Sequence, residues 1–178
     1  SVLLAPLVVL ASWQHNDRPR TYFFLLCLLF TGLFGTFTAL NFFHWFLYWE
    51  LVLVPSFFLI KLFGKGEERH SAALNFFLFT VLGSVAMLLG FLFLYSYLPV
   101  DMKTFNFVSP SGEKISLASL ASDPNRPISG IGGVQIIFFA ILAGLWVKVP
   151  LAPLHIWQAP AYAAAPTPVT MLLTGVMS

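Results

Sequence analysis

Charge is what this chain has least of. Asp, Glu, Lys and Arg make up 9% of its 178 residues, against about 25% in soluble domains. With 58% hydrophobic residues and a mean hydropathy of +0.86, the chain reads as an integral membrane protein. The net charge of +2 is too small and too dispersed for a nucleic-acid partner. Cys27 is the single cysteine and lies in an apolar run, so no disulfide framework can form within the chain. Strict apolar–polar alternation is also lacking from the long runs, which excludes an outer-membrane barrel and leaves helices. Metal-ligand spacing, a nucleophile triad and a phosphate loop are missing. Gly130, Gly132 and Gly133 open an apolar span and follow no strand, so they make no dinucleotide signature.

What the chain has in abundance is apolar sequence of membrane-spanning length. A spanning helix needs about 20 predominantly apolar residues. The pattern predicts an all-α polytopic bundle with spans at about 22–40, 42–63, 71–97 and 131–150. Partial spans are expected at about 2–13 and 166–178. No basic leader or cleavage pattern marks the first run as a signal peptide. With no initiator Met and a last run that stops short, the chain is expected to be a segment of a longer protein. Arg18 and Arg20 precede the second run, and Lys65 and Arg69 sit between the third and fourth. Helix alternation puts both basic turns on one side, which the positive-inside rule makes cytoplasmic or its equivalent. The polar connection 99–130 then faces outward, where 104–117 could form a small hairpin and 115–121 a short surface helix.

Three residues stand out chemically. Glu50 lies near the middle of its span, with Trp45, Trp49 and Pro55 nearby. Lys148 ends an apolar run, with Pro150, Pro153, Pro160, Pro166 and Pro168 close behind. A charged side chain at bilayer depth costs at least ~2.5–3.5 kcal/mol. Proline removes a backbone donor and breaks a helix, and broken backbone is tolerated in lipid only where protein or a wet cavity satisfies it. A discontinuous helix is therefore expected near 148–153. Glu50 is the only other acid within the apolar cores, so it is the expected partner of Lys148. Burial disfavours both charges and mutual attraction favours both. A pair so balanced suits a proton relay, though a structural bridge that fixes helix register would look the same in sequence. His155, in the broken stretch, is either a proton carrier or a polar group that satisfies freed carbonyls. His44, Trp45 and Tyr48 read as interfacial, and His15 and His70 as solvated.

The stretches FLYWELVLVPSFFLI, at 46–60, and VKVPLAPLHIW followed by AAPTPVTMLLTG, at 147–175, carry a resemblance. The chain resembles the antiporter-like membrane subunits of proton-translocating NADH:quinone oxidoreductase, complex I. Among them it is most similar to the M subunit, called chain 4 in mitochondria and the D subunit in plastid-type complexes. It is also similar to subunits of multisubunit cation/proton antiporters and membrane-bound hydrogenases. The resemblance implies an antiporter-like helix bundle that is one part of an inverted-repeat protein. It implies proton transfer through Glu50, Lys148 and His155, coupled to remote redox chemistry. No cofactor is expected in this chain; NAD(H), FMN, iron–sulfur clusters and quinone are expected in partner subunits. The expected partners are neighbouring antiporter-like subunits and the lipid bilayer. The expected location is a bacterial inner membrane, with mitochondrial inner and thylakoid membranes as alternatives. The family typically reads W-L-P-D-A-H where this chain has 157–162, WQAPAY, so its Asp and second His are missing here.

Overall fold

The structure, a computed structural model, describes residues 3–13, 17–97 and 131–177. Its elements are helices: α1 (Leu4–Ala11), α2 (Pro19–Thr38), α3 (Phe42–Leu51), α4 (Leu53–Phe63), α5 (Arg69–Tyr97), α6 (Ile131–Lys148), α7 (Gln158–Ala164) and α8 (Thr167–Leu172), which runs into a π turn at Leu173–Met177. Pro19–Thr38, Phe42–Phe63 and Arg69–Ser96 are long and apolar enough to cross a membrane. The hairpin and surface helix expected within 99–130 lie outside the described residues.

Local chemistry sets the ends. Pro19 occupies the first position of α2, where its missing N–H costs nothing. Asn41 caps α3, its Oδ1 accepting from the Phe43 N–H at 2.8 Å. The span 42–63 is interrupted once, at Val52, because Pro55 cannot donate to Leu51. The Ser56 hydroxyl and N–H both turn back to the Val52 carbonyl, at 2.7 and 3.3 Å.

Small residues let two helix pairs cross closely. A Cβ on Gly32 would stand 2.6 Å from Val52 Cγ2, and one on Gly35 would enter the Tyr48 ring, so α2 and α3 touch nearly backbone to backbone. A Cβ on Gly83 would lie 2.8 Å from Val147 Cβ, and one on Gly144 would lie 2.6 Å from the Gly83 carbonyl. These are the small-residue contacts that pack membrane helices, where no hydrophobic driving force acts between them.

The two basic turns lie at one end, as expected. Tyr22, early in α2, meets Phe63, the last residue of α4, edge to face at 5.2 Å. The Arg69 guanidinium donates to the Gly64 carbonyl at 3.0 Å. The main apolar core fills this basic half, around Tyr22, Leu29, Ile60, Phe76, Trp157 and Leu172.

The structure corrects the fourth span. Its C-terminal end does not reach the basic end. Val147 packs on Gly83, the midpoint of α5, so α6 stops at mid-depth. A turn region at 149–157 follows, and α7 then completes the crossing, its Ala164 carbonyl accepting from the Lys65 N–H at 2.7 Å. Residues 131–164 are thus one discontinuous span. Helix α7 was not expected because Pro160 sits in its first turn, where a missing N–H is tolerated.

Candidate functional site

The site is built where three helices meet at mid-depth. The C-terminal end of α3 supplies Trp49 and Glu50, the middle of α5 supplies Ser84, and the C-terminal end of α6 supplies Lys148. The close crossing at Gly83 and Gly144 brings Ser84 and Lys148 to one level. Lys148 is 5% exposed and Glu50 26%. Lys148 Nζ lies 3.8 Å from Glu50 Oε1, so the acid and the lysine singled out in the sequence do meet.

They do not hydrogen-bond. A separation of 3.8 Å is an ion pair, beyond the 2.7–3.2 Å of an N–H···O bond. Each member instead bonds to something else. The Lys148 ammonium donates to the Trp49 carbonyl at 3.1 Å and stands 4.2 Å from the centre of a Trp49 ring. That carbonyl lies just before α3 passes into α4, and the Trp49 ring face adds cation–π attraction. The Ser84 hydroxyl donates to Glu50 Oε1, the same oxygen that faces Lys148.

Beside the pair is a cavity of about 170 Å³, lined by Leu33, Thr36, Phe37, Trp45, Trp49, Val52 and Lys148. Trp45 stacks on Trp49 with ring centres 4.6 Å apart, so it is a wall of this cavity and not an interfacial anchor. The buried Trp49 indole N–H has no hydrogen-bond partner among the described residues. A cavity of this size, with Lys148 and Thr36 among its lining residues, is large enough to hold water.

The helix break is satisfied mainly by protein. The Leu151 N–H reaches back to the Trp146 carbonyl at 3.2 Å, and the Trp157 indole donates to the Val147 carbonyl at 3.0 Å. Trp157 is 3% exposed and its ring packs on Phe76. The freed Val147 carbonyl thus goes to Trp157. His155 is exposed at the break, and its side chain bonds to neither Glu50 nor Lys148 among the described contacts. His44 is exposed on α3 and away from the pair. No group of His, Cys, Asp and Glu among the described residues could hold a metal ion.

Neither Ser84 nor the Trp49 carbonyl stands out chemically in the sequence. Ser84 carries a signal only in hindsight, as a hydroxyl in mid-span that must find an acceptor. A backbone carbonyl such as that of Trp49 carries none.

A discontinuous membrane span that sets a buried lysine against the glutamate of a neighbouring span defines an antiporter-like, polytopic membrane protein. The chain belongs to the NADH:quinone oxidoreductase/Mrp antiporter transmembrane family, whose pattern matches residues 39–178. It is 34% identical to NAD(P)H-quinone oxidoreductase chain 4 3 of Picosynechococcus sp., over 97% of this chain and 30% of that protein. It is also 34% identical to NAD(P)H-quinone oxidoreductase chain 4 of Gloeobacter violaceus, over 98% of this chain and 30% of that one. The chain therefore spans about 30% of the length of the curated relatives it matches. Among solved structures it superposes on an archaeal membrane-bound sulfane sulfur reductase with a TM-score of 0.74 and 25% identity, covering 99% of this chain and 34% of that one. It shares its fold with a chain of respiratory complex I from Thermus thermophilus (TM-score 0.70, 22% identity, 96% and 35% covered). The same holds for a chain of the Mrp complex from Dietzia sp. (TM-score 0.63, 23% identity, 86% and 26% covered).

Proposed function

We propose that this chain is the proton-transfer part of an antiporter-like subunit of a respiratory NADH- or ferredoxin:quinone oxidoreductase. Protons move through the Glu50–Lys148 pair, driven by redox chemistry carried out in other subunits. The observation that supports this most is the pair itself: opposite charges 3.8 Å apart at mid-depth, beside a broken helix. At an effective dielectric of about 20, charges about 4 Å apart interact by about 4 kcal/mol. A displacement of Glu50 by a few ångströms would thus change how firmly Lys148 holds its proton, and a remote electrostatic event could load or unload it. The cavity beside Lys148 offers water as the next carrier, and His155 on the exposed side of the break is the proposed carrier toward the basic end. Flavin, iron–sulfur clusters, NAD(H) and quinone belong to partner subunits in this reading, and neighbouring antiporter-like subunits flank the chain. The membrane is a bacterial inner or thylakoid membrane, in line with the cyanobacterial source of the relatives.

The test is Glu50→Gln in the assembled complex. Proton transport should fall to near zero while the subunits still co-purify and electron transfer to quinone persists in uncoupled membranes. Full coupled transport in this variant overturns the proposal. The fold shared with the Dietzia Mrp complex favours a second reading, a subunit of a sodium/proton antiporter. Sodium-dependent proton exchange in vesicles without any electron donor would select it.

A further inference from the structure

Ser84 bonds outside its own helix, unlike Thr36, Ser56 and Thr80. The hydroxyls of Thr36, Ser56 and Thr80 each bond back to a carbonyl four residues earlier in their own helix. That is the ordinary resting place of a helical Ser or Thr. The Ser84 hydroxyl instead donates across to α3, to Glu50 Oε1. Ser84 is 4% exposed, and Gly83, the residue before it, seats Val147 directly before Lys148. One small pair, Gly83–Ser84, thus both positions the lysine and grips the acid.

We infer that Ser84 is a positioning residue that holds the Glu50 carboxylate open, short of hydrogen-bond contact with Lys148. The inference rests on the proton-transfer reading of the pair. Two groups bind the pair's members separately: Ser84 takes the acid, and the Trp49 carbonyl takes the base. With neither grip, ammonium and carboxylate would close the remaining distance into a direct charge-assisted bond of about 2.7–2.9 Å. A closed pair in a low-dielectric setting is a trap, because each transfer step must first break it. The Ser84 bond keeps the carboxylate within attraction of the lysine while leaving the ammonium able to exchange its proton.

The test uses Ser84→Ala and Ser84→Thr in the assembled complex, with two readouts. The first is infrared difference spectroscopy of the Glu50 carboxyl group, its band identified by its loss in Glu50→Gln. Ser84→Ala should shift that band and Ser84→Thr should restore it. This readout needs no transport, so it stands whether or not the pair carries protons. The second is the proton transport rate, expected to fall roughly tenfold in Ser84→Ala, as losing a hydrogen bond to a charged group implies, and to recover in Ser84→Thr. An unshifted band in Ser84→Ala overturns the inference. A shifted band with unchanged transport also overturns it, since the grip then has no consequence for transfer. Full transport in Glu50→Gln sinks the underlying reading instead, and is told apart by the variant in which it occurs.

Discussion

Glu50 and Lys148 are unequally provided for, and that inequality has a measurable consequence. Without Lys148, Glu50 keeps its bond from Ser84 and a quarter of its surface exposed. Without Glu50, Lys148 is left 5% exposed with one carbonyl and one ring face. Removing one partner of a buried pair costs about 3–5 kcal/mol. Glu50→Leu should therefore approach that range, and Lys148→Met should cost clearly less. The double variant should regain most of the stability, because an apolar pair leaves no stranded charge, and should transport no protons. Thermal unfolding of the purified complex checks the order; equal losses in the two single variants would refute the asymmetry. The pair itself was legible in the sequence, because an acid deep in an apolar run and a lysine beside a helix break must each find a partner. Its two grips were not legible. Ser84 looks like any small residue of a packed span, and the Trp49 acceptor is backbone. His155 drew notice as a titratable group near prolines, but proximity along the chain did not bring it to the pair.

At the level of elements, the site depends on how closely α5 approaches α6 and on how the break between α6 and α7 is closed. A side chain on Gly144 meets Met87 Cβ and the Gly83 carbonyl, both immovable at that separation. Gly144→Val should destabilise by about 1–3 kcal/mol through overpacking. It should also cut transport more than that loss explains, since it pushes Lys148 away from Glu50; comparing melting temperature with transport per assembled complex separates the two effects. Trp157→Phe keeps the ring against Phe76 but strands the Val147 carbonyl, at a cost of about 1–3 kcal/mol. If Trp157→Phe melts like the parent, water rather than the indole satisfies that carbonyl. The break was readable from Pro150 and Pro153. What followed it was not, because three more prolines hide the short helix α7. The depth of the break was also out of reach, since it depends on the register of α6 against α5, fixed by Gly83 and Gly144 in space.

For the whole molecule, the consequence lies in which way the asymmetric site faces. Arg18, Arg20, Lys65 and Arg69 gather at one end, while the C-terminal end of α5 and the start of α6 lie at the other. By the positive-inside rule, the first end is expected to be the cytoplasmic one or its equivalent. The discontinuous span then holds Lys148 at mid-depth, with α6 on its outer side and the turn region and α7 on its inner side. A proton reaching Lys148 from the inner side meets broken backbone and His155. One arriving from the outer side must pass along helical backbone, or enter through the cavity between α2 and α3. The route is therefore expected to be wet on the inner side and restricted on the outer. Single cysteines at Lys65 and Ser96, both exposed, in a Cys27→Ser background, test the orientation. In sealed vesicles with their cytoplasmic face outward, an impermeant thiol reagent should label Lys65→Cys and spare Ser96→Cys until the membrane is opened. The reverse pattern would invert the orientation and, with it, the direction in which Glu50 and Lys148 can pass a proton.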